Sequence, residues 1–187
     1  MSITTGLIAP SLGLVRPQAC RGLFPVLSFH SNVHPVNEVF MYTHILIPTD
    51  GSELAQNGVD HGLSLAKALG SRVTIITATE PFPVPTGGAA WGVTSADIAS
   101  YNDGREKAAE EMMAPIKATA EKMGIQAATV HVPGARAATA ILETAEQLGC
   151  NLIVMASHGR RGVKRLLLGS QAAEVVSSST VPVLVIR

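Results

Sequence analysis

Two short stretches of this sequence concentrate residues that can do chemistry. Thr49-Asp50-Gly51-Ser52 ends one apolar run, and Ser157-His158-Gly159-Arg160-Arg161-Gly162 ends another. The second stretch continues to Leu166-Leu167-Leu168-Gly169-Ser170. Glycines let a phosphate approach the backbone closely, and a helix opening at Gly169 and Ser170 would aim N–H groups and a partial positive charge outward. Ser170 adds a hydroxyl donor. Arg160, Arg161, Lys164 and Arg165 place four cations within six positions of a chain whose formal net charge is zero. The simplest ligand for this arrangement is a polyphosphate. Each feature also has a plainer explanation. A Ser at a helix start is commonly only a cap. A basic loop is commonly solvated surface, His158 a loop residue, and Asp50 a cap for the helix that follows it.

Several other chemistries are excluded. No GxxxxGK[ST] is present, so the chain is not a Walker-type ATPase. No GxGxxG follows the first strand. Met155-Ala156-Ser157-His158-Gly159 fails the GxSxG nucleophile elbow at its first position, and no acidic partner for a Ser–His pair is evident. The two cysteines, Cys20 and Cys150, form no CxxC, which leaves neither a disulfide scaffold nor a Cys-based zinc site. They fit a reducing compartment, the cytoplasm. Cys150 directly precedes an apolar run and reads as inert packing. Flavin, haem and zinc are not expected. The neutral charge balance argues against general attraction to nucleic acid or anionic membranes. No apolar run approaches the roughly 18–20 residues of a membrane span.

Alternating elements must position these loops. His44-Ile45-Leu46-Ile47-Pro48 reads as a buried strand, and the turn cluster behind it as a helix start. Ala55, Val59, Gly62, Ala66 and Leu69 then share one helix face, which Gly70 ends. A second strand is expected over 73–78. Pro81, Pro83, Pro85, Gly87, Gly88 and Gly92 predict a long loop over 80–101, with Asp103 and Glu106 resembling a capping box for the next helix. That helix should run to Met123, stop at Gly124 and kink at Pro115. A strand over 127–132 follows. The next helix carries Ile141, Ala145 and Leu148 on one face and ends at Gly149. A strand over 152–156, a helix over 170–178 and a strand over 181–186 complete the chain. The alternation gives an α/β fold with a parallel sheet covered on both faces. Ligands of such sheets bind beyond the carboxyl ends of the strands, where the winding reverses. If it reverses between the third and fourth strands, both polar loops flank one crevice.

Residues 1–40 are a different kind of sequence. They carry Pro10, Pro17, Pro25 and Pro35, hold Glu38 as their only acid, and show no sustained period. Three readings stay open: a translation start placed upstream of a working start at Met41, a disordered natural tail, or a targeting segment. Two arginines and an apolar run broken by Pro10 count against the last. The segment is therefore expected to be an extension, and 41–187 the domain.

Residues 41–187 resemble a bacterial universal stress protein. Three stretches carry the likeness: Ile45 to Ser52, Leu152 to Gly159, and Leu166 to Ser170 followed by Val181-Pro182-Val183-Leu184-Val185. The resemblance implies a three-layer sandwich of the adenine nucleotide alpha hydrolase-like type. Its five-stranded parallel sheet would have the order 3-2-1-4-5. It also implies ATP binding, with or without Mg, through a pattern G-x2-G-x9-G-[ST]. Gly159, Gly169 and Ser170 fit that pattern, whereas Ala156 stands at its first glycine. A methyl group there would crowd the ribose or phosphates. Carried over by position, Pro48, Thr49 and Asp50 would border base and ribose. Ala78 would offer backbone groups to the adenine edge. Gly159, Gly169 and Ser170 would hold the phosphates, with Ala156, Ser157 and His158 in the same cofactor-binding loop; the adjacent Arg160 would add charge, an assignment from composition and not from the family pattern. Members commonly pair through the last strand, so a homodimer is expected. The implied role is stress-response regulation, with catalysis not expected, because Asp50 is the only acid in the two crevice loops. The rivals are an interaction protein that uses no nucleotide, and a weak ATPase or autophosphorylating protein.

Overall fold

The computed structural model describes residues 41–83, 92, 94–159 and 168–187. The expectations for residues 1–40, for the basic residues Arg160, Arg161, Lys164 and Arg165, and for most of the proline- and glycine-rich loop lie outside the described residues. The elements run β1 (His44–Pro48), α1 (Glu53–Leu69), β2 (Arg72–Thr79), α2 (Ser95–Lys122), β3 (Ala127–Pro133), α3 (Ala137–Gln147), β4 (Leu152–Ala156), α4 (Ser170–Ser178) and β5 (Val183–Ile186). The sheet order is β3-β2-β1-β4-β5. Every pairing is parallel. The winding thus reverses between β3 and β4, and β1 lies beside β4.

β1, β4 and the middle of β2 are buried because both sheet faces are covered there, whereas β3 and β5, at the edges, are only partly buried. Ile45, Ile47, Leu152 and Val154 join Val59, Leu63, Met113 and Ile116 in one core cluster, on the side of α1 and α2. Leu46, Ile153 and Met155 join Ile141, Ala145 and Val175 in the other, on the side of α3 and α4. Alternate residues of one strand therefore feed opposite cores. α1 opens where the Ser52 hydroxyl accepts the Ala55 N–H at 3.1 Å. It closes at Gly70, whose φ of +66° is left-handed.

Three expectations are corrected, beyond shifts of a single residue at the ends of β2 and β3. α2 begins at Ser95, not near Asp103. Its capping box is Thr94 with Asp97. The Thr94 hydroxyl accepts the Asp97 N–H at 3.2 Å, and an Asp97 carboxylate oxygen accepts the Thr94 N–H at 2.8 Å. The Thr94 hydroxyl and then its N–H hold the Asp97 carboxyl below its usual pKa. Asp103 and Glu106 lie inside the helix, which runs on through Pro115. Leu148 is the C-cap of α3 and is 39 % exposed, so it does not join the buried face. β5 starts at Val183 instead of Val181, although the Pro182 carbonyl already accepts the Ile153 N–H at 3.0 Å.

Candidate functional site: the cleft above β1 and β4

All five strands run the same way, so their carboxyl ends share one rim. The loops after β1 and β4 meet there and border a cleft of about 620 Å³. Pro48, Thr49 and Asp50 line it from β1, and Ala78 from the end of β2. Ala156, Ser157, His158 and Gly159 line it from β4, and Gly169 and Ser170 from the start of α4. Those ten expected site residues converge on one cavity. Arg160 lies outside the described residues.

The loop after β1 is held by its own short side chains. Thr49 donates its N–H to the Ile76 carbonyl at 2.9 Å, and its hydroxyl accepts the Gly51 N–H at 3.2 Å. Gly51 has a φ of +75°, which a side chain would disfavour. Asp50 accepts the Ser52 N–H at 3.0 Å, an Asx turn. Ser52 caps α1, so Asp50 shapes the turn and is not the cap.

The loop after β4 is anchored through the backbone of Ser157, a residue only 7 % exposed. Its N–H donates to the Ile186 carbonyl at 2.7 Å, and its carbonyl accepts the Gly169 N–H at 2.9 Å. Its hydroxyl lies 3.1 Å from His158 Nδ1. Both glycines permit close approach. A Cβ on Gly159 would stand 2.5 Å from an Asp50 carboxylate oxygen, so the two loops touch at that point. A Cβ on Gly169 would stand 3.3 Å from the Ser157 carbonyl oxygen. A side chain on Gly159 would press on the Asp50 carboxylate, and one on Gly169 would sit tightly against the Ser157 carbonyl. α4 itself has no side-chain cap, which leaves its opening N–H groups at the cleft wall.

Reading the sequence missed other walls of the cleft. Arg105 and Met112 come from α2, Arg136 and Ala137 from the start of α3, Glu80 from beyond β2, and Gln171 from α4. Arg105 packs its guanidinium over the Tyr101 ring, 5.1 Å from the centroid, and Phe82 meets that ring edge-on at 5.2 Å. Placing the start of α2 near Asp103 hid this wall. Arg136 had a usable signal, because any helix that follows a strand opens at this rim. Among the described residues no group of three His, Cys, Asp or Glu side chains is placed to hold a metal ion. Among them, too, no helix is long and apolar enough to cross a membrane.

Residues 41–187 match the model of the universal stress protein family. Universal stress protein MJ0531 of Methanocaldococcus jannaschii is 31 % identical over 150 residues, covering 79 % of this chain and 83 % of that protein. The solved structure of MJ0577, from the same organism, is similar with a TM-score of 0.65 at 28 % identity, covering 78 % of this chain and 96 % of that one. The chain belongs to the universal stress protein family. Two more distant structures share the fold. One is a universal stress protein in complex with cAMP, at 22 % identity and TM-score 0.56, covering 78 % of this chain and 97 % of that one. The other is an Archaeoglobus fulgidus universal stress protein in complex with dAMP, at 19 % identity and TM-score 0.53, covering 79 % of this chain and 99 % of that one.

Proposed function

We propose that this chain is a cytoplasmic regulatory protein of the stress response that binds ATP, with or without Mg, and works as a homodimer through β5. The observation that carries the reading is the cleft of about 620 Å³, whose lining brings together Asp50 and Gly159 from two loops and Gly169 and Ser170 from a helix start. Backbone N–H groups at the opening of α4 suit an anionic phosphate. Glycines at both places leave the backbone open to the close approach of a phosphate. Ala78 and the loop after β1 would take the base and ribose. The relatives with cAMP and dAMP support an adenine nucleotide.

The test is calorimetry on the full chain, stripped of co-purified nucleotide and titrated with ATP in the presence and absence of Mg. Binding in the micromolar range is expected. No heat up to millimolar ATP would overturn the reading. Ala156 favours the rival, an interaction protein without nucleotide, since a methyl replaces hydrogen at the first glycine of the pattern. Relieving that crowding with Ala156→Gly should tighten ATP binding several-fold, measured in the same titration. Unchanged affinity would show that the methyl is accommodated. The reading is of binding and not of turnover. An ADP fraction that rises over hours, and stops rising in Asp50→Asn, would make the protein an enzyme instead.

A further inference from the structure

The start of α3 is capped from another helix. Its N-cap residue, Arg136, makes no side-chain cap bond. Instead Gln171 Oε1 accepts the Ala138 N–H at 2.9 Å. An N–H only donates, so the acceptor must be the amide oxygen, and that settles which way the amide points. Nε2 is the amide atom that this bond leaves over. Gln171 lines the cleft, and among the described residues its Nε2 has no hydrogen-bond partner. Helix side chains lean toward the N-terminus of their own helix. Gly169 and Ser170, at the start of α4, line the same cleft as Gln171.

A second tie keeps this arrangement in place. Glu174, one turn further along α4, accepts from Arg136 Nη2 at 2.8 Å. Ala138 is fully buried, so the N–H that orients Gln171 cannot shift freely. The amide is thus set before any ligand arrives, and binding need not freeze its rotamers.

We propose that Gln171 is a ligand-binding residue whose Nε2 donates to a phosphate oxygen of the bound nucleotide. The inference rests on the nucleotide reading given above. It assigns to one side chain two opposite hydrogen-bond roles: the oxygen fastens α3, and the nitrogen reads the ligand.

Gln171→Glu separates the two roles. It keeps an oxygen for the Ala138 N–H and replaces the donor with a negative charge facing the phosphates. Gln171→Met removes both roles and serves as the uncharged companion. The full chain and both variants are titrated calorimetrically with ATP and with adenosine, and the unliganded melting temperature of each is recorded. For Gln171→Glu the ATP Kd should rise about tenfold or more, as expected for a lost hydrogen bond to a charged group. Adenosine binding and the unliganded melting temperature should be unchanged. Gln171→Met should weaken ATP to a smaller degree and lower the melting temperature. A Gln171→Glu chain that binds ATP like the original, or loses ATP and adenosine alike, overturns this inference alone. An original chain that binds no ATP overturns the nucleotide reading and this inference with it.

Discussion

His44 shows how much a single residue depends on its surroundings. It opens β1, at the end of the strand away from the cleft, and is only 5 % exposed. Nδ1 lies 3.2 Å from the Leu148 carbonyl, which can only accept, so that nitrogen carries the proton. Nε2 then accepts from the Thr74 hydroxyl at 2.8 Å. This is the neutral ring. Burial, and next the nearby Arg72 charge, push its pKa below 6.5, while the Leu148 carbonyl pulls the other way. The unfolded chain therefore takes up a proton before the folded one does as the pH drops. Stability from this group is complete above pH 6.5, falls as the pH falls below that value, and levels off once the folded His44 is also protonated. Urea unfolding between about pH 5 and pH 8 should show a steeper acid-side loss for the original chain than for His44→Gln. Parallel profiles would mean that His44 takes up its proton as readily in the folded chain as in the unfolded one. Asp50, Gly159, Gly169 and Ser170 were legible in the sequence because glycines and short polar residues after apolar runs have few uses. His44 and Gln171 were not. Their roles depend on partners 104 and 33 positions away, and no local pattern announces such pairs.

At the scale of elements, the cleft depends on how closely α1 approaches the sheet. Gly58 and Gly62 lie on the buried face of α1. A Cβ on Gly58 would stand 2.8 Å from the Ala156 nitrogen and 3.2 Å from the Met155 carbonyl carbon. Both are backbone atoms, so the helix itself would have to move. A Cβ on Gly62 meets side-chain atoms only, Ile47 Cδ1 at 2.5 Å and Cγ1 at 3.0 Å, which can give more readily than backbone. Overpacking costs about 1–3 kcal/mol, against roughly 1 kcal/mol gained when Ala replaces Gly in a helix. Gly58→Ala should therefore lower the melting temperature by several degrees, and Gly62→Ala by less or not at all. The reverse order in a thermal melt would show that α1 is not seated against β4 as described. The face of α1 was readable from its spacing, including Val59, Gly62 and Ala66, but the reason for two glycines on it was not. That reason is a distance to another strand. The start of α2 was misjudged for a related cause. Asp103 and Glu106 offered a local match, and only the formed Thr94–Asp97 pair decides between two such boxes. β1 and β4 were nearly complete in the sequence because burial on both faces leaves an apolar run that a helix would not need.

At the scale of the whole molecule, the sheet has two edges, β3 and β5. Strand order could not be read from periodicity, since alternation fixes which elements exist but not which lie side by side. It was legible only through the family likeness, and the structure has that order. An edge strand presents unpaired N–H and C=O groups, and β5 adds apolar side chains to them, with Leu184 41 % exposed. Two chains related by a twofold axis could join β5 to β5 and continue the sheet. A lysine at the middle of such an edge opposes strand pairing. Leu184→Lys should therefore shift the species seen by light scattering from a dimer to the 19.5 kDa single chain. A dimer that survives the substitution would place the contact elsewhere. The ten candidate residues named above line the cleft from within one chain. β5 still touches it indirectly, because the Ile186 carbonyl accepts from Ser157, and Ser157 in turn holds Gly169. Both of those bonds are internal to the chain and outlast dissociation. The Leu184→Lys monomer should consequently bind ATP within a few-fold of the original chain in the same calorimetric titration. Loss of binding in a folded monomer would mean that the partner completes the site, and the nucleotide would then be a ligand of the dimer alone.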